Sequence, residues 1–323
     1  MHVALATELV LSPATMDGAI AAVWHAFDAS PLTHVPLFEA SLAVGAFVLW
    51  FAFFESLHLW LPGAQDWRLD KQLPSKPLSC FREDVHKTAV PALTYLGSIW
   101  LGQQLGVFTA LFGSRPVFTE APTFAQFSLE VIIGVVLYDL LFYPFHRSFH
   151  SSKAPLAWRE QHGRHHQWGR QEVHAHNACE TVQNSYLDAG IQVMINIFVQ
   201  NISPWGFGCK HPLSRAAHNL MVTYLLSEAH SGYDLPFQSH RLFPAIFGGS
   251  VRHEEHHQRG SVCFHQFFKY LDDSTGAAPR AAPEQGPDGA GSEAQLWLAA
   301  DCEVADSVSR GLTPARDAMP DAM

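Results

Sequence analysis

Charge is the scarcest property of this chain. Only 15% of its 323 residues are Asp, Glu, Lys or Arg, against 48% hydrophobic ones. Soluble domains are usually nearer one quarter charged, so the deficit points towards a membrane protein. Basic stripes and Arg-rich runs are absent, and the formal net charge is −10. A nucleic-acid partner is therefore not expected. The five cysteines, Cys80, Cys179, Cys209, Cys263 and Cys302, are scattered, odd in number and without CxxC spacing. Neither a disulfide framework nor a zinc ribbon fits that pattern. The first 35 residues contain no Lys or Arg, so there is no basic n-region of a cleavable signal peptide.

Histidine, in contrast, is abundant and clustered. Fifteen of the 20 histidines lie between His146 and His265. The stretch Tyr143–His166 reads YPFHRSFHSSKAPLAWREQHGRHH. In it His146 and His150 are four apart, and His162, His165 and His166 follow as HxxHH. A second HxxHH, His253, His256 and His257, lies in VRHEEHHQ. On a helix each set shares one face. Neutral imidazole suits iron, zinc, copper and nickel. Eight imidazoles exceed the six positions of one first-row ion, which favours two ions. Carboxylates are sparse within the boxes, whereas paired-metal hydrolases normally use bridging carboxylates. An all-nitrogen pair beside a membrane suggests redox chemistry on a lipid-borne substrate.

The apolar runs place the boxes. Ala40–Leu61 is long enough to cross hydrocarbon. The following loop carries Arg68, Lys71, Lys76, Arg82 and Lys87, which assigns it to the cytosol. Thr88–Phe112, despite Pro91, reads as a return span, and Phe124–Phe145 as a third that delivers His146 to the cytosolic side. Ser185–Gly208 and Leu213–Ala229 read as a second, more polar hairpin, shallow or fully crossing. A short interfacial helix is expected over Ala19–Phe27. The predicted fold is all-α: a helical membrane bundle of four or five spans under a cytosolic histidine-rich helical cap. Its regions are 1–123 with two transmembrane helices, 124–276 with the metal centre, and an Ala/Pro/Gly-rich tail, 277–323. That tail reads as disordered apart from a short helix near Ala294–Ala300.

The chain resembles the fatty acid hydroxylase / sterol desaturase superfamily of integral-membrane di-iron oxygenases. The resemblance covers about Val131 to Gly276. It rests on YDLLFYPFHRSFH, WREQHGRHH, AHSGYDLP and RHEEHHQ followed by KYLDDSTGA. It implies iron ligation by His146, His150, His162, His165, His166, His253, His256 and His257, with His230 of HSGYDLP as a ninth ligand. It also implies two iron ions, O2 as co-substrate, and hydroxylation or desaturation of a sterol or fatty-acyl lipid. In a eukaryote it implies the endoplasmic reticulum membrane. No haem-binding His-Pro-Gly-Gly motif is present, so electrons are expected from a separate donor such as cytochrome b5 or a reductase.

Asp139 and Tyr143 share the helical face of His146, and Asp139 is placed to accept a ligand N–H. His174 and His176, in EVHAHNACE, are weaker metal candidates, because the family's His-Pro-x-Glu is only approximated there. Two other classes compete. His253, Glu254 and His257 spell HExxH, as in a zinc metalloprotease, which leaves two boxes unexplained. A non-catalytic metal-binding membrane protein, whether transporter, sensor or scaffold, would keep the boxes without lipid oxidation.

Overall fold

The computed structural model describes residues 12–71, 81–171 and 176–279. The tail beyond 279, with the helix expected near Ala294–Ala300, and His174 lie outside the described residues. Eleven α-helices are described: α1 Pro13–Asp28, α2 Phe38–Trp60, α3 Phe81–Gln104, α4 Val107–Phe112, α5 Phe124–Phe149, α6 Leu156–Gln171, α7 Tyr186–Val199, α8 Pro212–Ala229, α9 Ser239–Leu242, α10 Gly249–Arg259 and α11 Tyr270–Thr275. Among the described residues there are isolated bridges but no named strand, so the all-α expectation holds.

Local sequence explains the helix ends. Thr123 caps α5 by accepting from the Gln126 amide, and Ser185 caps α7 by accepting from Asp188 N. At α8, Pro212 takes the first position, where its missing N–H is harmless. The His211 ring caps that helix from Leu213 N at 3.1 Å. Gly260, at φ 66°, ends α10 in the left-handed conformation that a side chain would strain.

Among the described residues two helices, α2 and α5, are long and apolar enough to cross a membrane. The return span expected over Thr88–Phe112 is not one helix. Helix α3 begins among Arg82, Glu83, Asp84 and Lys87, and ends before Gly106 turns at φ 66°. Little of its length is therefore purely apolar, and α4 supplies only six further residues. In the second hairpin only α7 is shorter than its apolar run. Helix α7 has 14 residues, and α8 is buried round most of its circumference, which marks it as a core helix.

Helix α8 is the centre of the packing: α2, α5 and α10 all lie against it, and α7 lies against α5. One apolar cluster joins Tyr138 and Phe142 of α5 to Ile195, Val222, Leu225, Phe267 and Phe268. Another joins Phe51, Phe54 and Leu57 of α2 to Ala178, Tyr233 and Leu235. Together they pack α2, α5, α7 and α8 against the segments on either side of α10, and α6 lies against α5, α7 and α10.

Candidate metal centre

Helix α5 carries His146 near its end and His150 as its C-cap. Helix α6 carries His162, His165 and His166, and α10 carries His253, His256 and His257. His230 is the C-cap of α8. The structure sorts these nine into two groups. His146, His150, His162, His166 and His256 form the first, and His165, His230, His253 and His257 the second. Within each group one ring nitrogen per residue lies within 4.8 Å of all the others. Each group draws on three helices or helix ends, because HxxHH sends its members to both: on α6 His165 joins the second group while its neighbours join the first.

The ring orientations are set by the outer nitrogens. His146 Nδ1 donates to Phe264 O and His256 Nδ1 to Val262 O, both at 2.7 Å. His230 Nδ1 donates to Leu226 O at 3.0 Å. His162 Nδ1 donates to Asp188 Oδ1 at 3.2 Å. With Nδ1 holding the proton, Nε2 of each of these rings presents a lone pair inward. Yet His162 Nε2 meets the Nε2 atoms of His150 at 2.8 Å and of His166 at 3.0 Å. His253 Nε2 meets those of His230 at 2.9 Å and of His257 at 3.1 Å. His256 Nε2, inside the first group, is buried without a hydrogen-bond partner.

Protons do not resolve this crowding. Burial, reinforced by neighbouring imidazoles, holds His150, His162, His165, His166, His253, His256 and His257 well below the usual imidazole range. Burial pushes His230 down to about 4. Neutral rings with converging lone pairs are what a cation needs. The donor set therefore fits two metal ions, one of five nitrogens and one of four.

The other candidates lie around the centre. Asp139 touches no ring of either group. Its carboxylate accepts from His265 Nδ1 and from the amides of Gln266, Phe267 and Phe268. Tyr143 hydroxyl pairs with Thr275 Oγ1 and accepts from Arg147. His176 stands beside His257, ring centroids 5.0 Å apart, and donates from Nδ1 to Glu254 at 2.7 Å. It belongs to neither group. Asp188, rather than Asp139, is the carboxylate on a clustered histidine. In the sequence Asp188 is only one of the polar residues that interrupt an apolar run.

A cavity of about 20 Å³ adjoins both groups, room for one water-sized group. Its wall includes His146, His162, His165, His230 and His253, and beyond them Phe142, Thr181, Asn184, Asp188, Gln192 and Gln266.

Residues 131–277 match the fatty acid hydroxylase family. The matched segment holds all nine of the clustered histidines. The chain is similar to "Cholesterol 25-hydroxylase-like protein 2" of Danio rerio, 32% identical over 52% of this chain and 56% of its own length. The cholesterol 25-hydroxylase of Rattus norvegicus is 30% identical over 57% of this chain and 58% of its own. That of Homo sapiens is 26% identical over 80% of this chain and 88% of its own. The chain thus spans a little over half the length of the first two relatives. No solved structure matches it.

Proposed function

We propose that this protein is an integral-membrane lipid hydroxylase with a di-iron centre. The observation that carries the reading is the pair of adjacent all-histidine groups, neutral and inward-facing, at the end of an apolar helical bundle. The first iron would be held by His146, His150, His162, His166 and His256. The second would be held by His165, His230, His253 and His257. When bound, the pair supplies O2 activation, in which O2, two electrons and two protons convert a C–H bond into an alcohol and one water. The substrate class is a sterol or fatty-acyl lipid, a reading supported by relatives named as cholesterol 25-hydroxylases. The electrons come from a separate donor, cytochrome b5 or a reductase.

The chain's own part is binding and orientation. Leu226 O, Phe264 O, Val262 O and Asp188 fix four ring tautomers, so Nε2 points inward in each. Phe142 stacks on His146 with centroids 5.1 Å apart. It brings an apolar surface to the cavity on the side of α5. A cytosolic position for the cap agrees with the basic loop after α2.

The zinc-protease reading is disfavoured by Glu254. The general base of an HExxH site must face the metal-bound water, but here Glu254 accepts from His176 at 2.7 Å. His253 and His257 share their group with two further histidines.

The test is metal content per chain in detergent, followed by lipid-product analysis with cholesterol and with fatty-acyl substrates plus a donor system. Two irons and an alcohol product are expected. One zinc, dependent on His253 and His257 alone, would overturn the reading. An alkene product would keep the centre and change the reaction to desaturation.

A further inference from the structure

Residues 263–268 form an irregular loop between α10 and α11, yet each of their six amides has a partner. Cys263 N donates to Ala277 O at 2.9 Å. Phe264 N and His265 N donate to the two oxygens of Asp272 at 2.9 and 3.1 Å. Gln266 N donates to Asp139 Oδ1 at 2.8 Å, and Phe267 N and Phe268 N to Asp139 Oδ2 at 3.3 and 2.9 Å. Both carboxylates have no solvent exposure. Buried amides left without acceptors would be costly, so two carboxylates serving five of them hold the loop in one shape. Cys263 adopts φ 55°, a left-handed turn that this anchoring maintains.

The loop's carbonyls point the other way. Val262 O accepts from His256 Nδ1 and Phe264 O from His146 Nδ1. Those rings belong to the first histidine group, and their centroids are 4.4 Å apart. Asp139 lies two turns before His146 on α5. One helix therefore bears both a clustered histidine and the anchor of the loop that orients it. The second group has no bond to this loop among the described residues. Its His230 is oriented by Leu226 O of α8.

We propose that the loop Val262–Phe268 is a brace for the five-histidine metal position alone, with Asp139 and Asp272 as positioning residues that act through it. The inference rests on the reading of the two groups as metal positions. Replacing Asp139 by Asn puts an amide NH2 where an oxygen accepts from N–H groups. The loop carbonyls shift, and His146 and His256 lose their fixed tautomer, while the four-histidine position keeps its geometry.

The experiment is anaerobic ferrous titration of the full chain in detergent against a competing chelator, with helicity followed by circular dichroism. Wild type is expected to hold two ions. Asp139→Asn is expected to hold one at wild-type affinity and the other roughly 10–100-fold more weakly, the usual loss when a ligand's supporting partner is removed. Combining it with His253→Ala should leave no tight ion, whereas combining it with His256→Ala should leave one. Asp272→Asn should repeat the pattern. No ion on wild type would overturn the metal reading itself. Two ions on wild type with two tight ions on Asp139→Asn would overturn only the brace. Equal weakening of both ions, or loss of helicity in both Asp variants, would make the loop a general stabiliser and also overturn the proposal.

Discussion

Asp188 Oδ1 lies 3.2 Å from His162 Nδ1, and both side chains are buried. A carboxylate on α7 therefore sets the ring of a histidine on α6. Its other oxygen accepts from Ser185 Oγ at 2.8 Å, so the cap of α7 and the centre share one side chain. Asp188→Ala is expected to weaken metal binding roughly 10–100-fold. Chelator competition measures this, and unchanged affinity would show that the contact is incidental.

Metal removal should loosen the whole cap. The two groups tie together α5, α6, the end of α8 and α10. A ligand held at a thousand times its dissociation constant stabilises the folded state by about 4 kcal/mol. A chelator should lower the thermal midpoint, and ferrous iron in excess should restore it. Scanning fluorimetry on one preparation across both steps reads the effect. A midpoint indifferent to chelator would contradict it.

Lys210 has no exposed surface, and its Nζ has no hydrogen-bond partner. Burial pushes its pKa down to about 8, against opposing attraction from Glu130. Arg215 adds to the depression, while Glu39 opposes it. His218 Nδ1, also unpartnered, faces the same spot on α5. The unfolded chain keeps the lysine proton up to about pH 10.5, whereas the folded chain releases it from about pH 8. The unfolded state binds more protons in that window, so stability should rise with pH across it. At pH 7 Lys210→Met should stabilise the protein by ~1–3 kcal/mol, the scale of one unsatisfied buried donor. Denaturation of both proteins at pH 7 and pH 10 checks the sign: the advantage of Met should shrink at the higher pH.

Gly134 lies where that lysine and histidine meet α5. A methyl group built there would stand 2.5 Å from both Lys210 Nζ and His218 Nδ1. Gly134→Ala should destabilise the fold by ~1–3 kcal/mol through overpacking. Adding Lys210→Met should recover part of that loss. Equal stability of Gly134→Ala and wild type in denaturant would refute the argument.

Helical spacing made the histidine sets legible, and the nine residues named from spacing and resemblance are the nine that converge. Their division into five and four was not legible. It depends on which side of α6 faces α5 and which faces α10, and HxxHH serves both. Asp188 and the loop at 262–268 were also hidden, because the contact of Asp188 with His162 crosses 26 residues of sequence and those of the loop with His146 and Asp139 cross more than 100. The spans were read from hydropathy alone. That worked for α2 and α5, where the apolar run and the helix coincide. At Gly106 a backbone turn cuts the apolar run, and in α8 the polar residues Ser214, His218, Asn219 and Thr223 are buried in the bundle.

The sharing of α10 between the two histidine groups has a consequence for biosynthesis. His166 and His256 are 90 positions apart in the chain. At ordinary synthesis rates roughly 5–20 s separate their appearance. During that interval the nascent chain exposes His146, His150, His162, His165 and His166 with neither group complete. On the proposed reading, both ion positions are completed only by residues 253–257, so loading waits for α10.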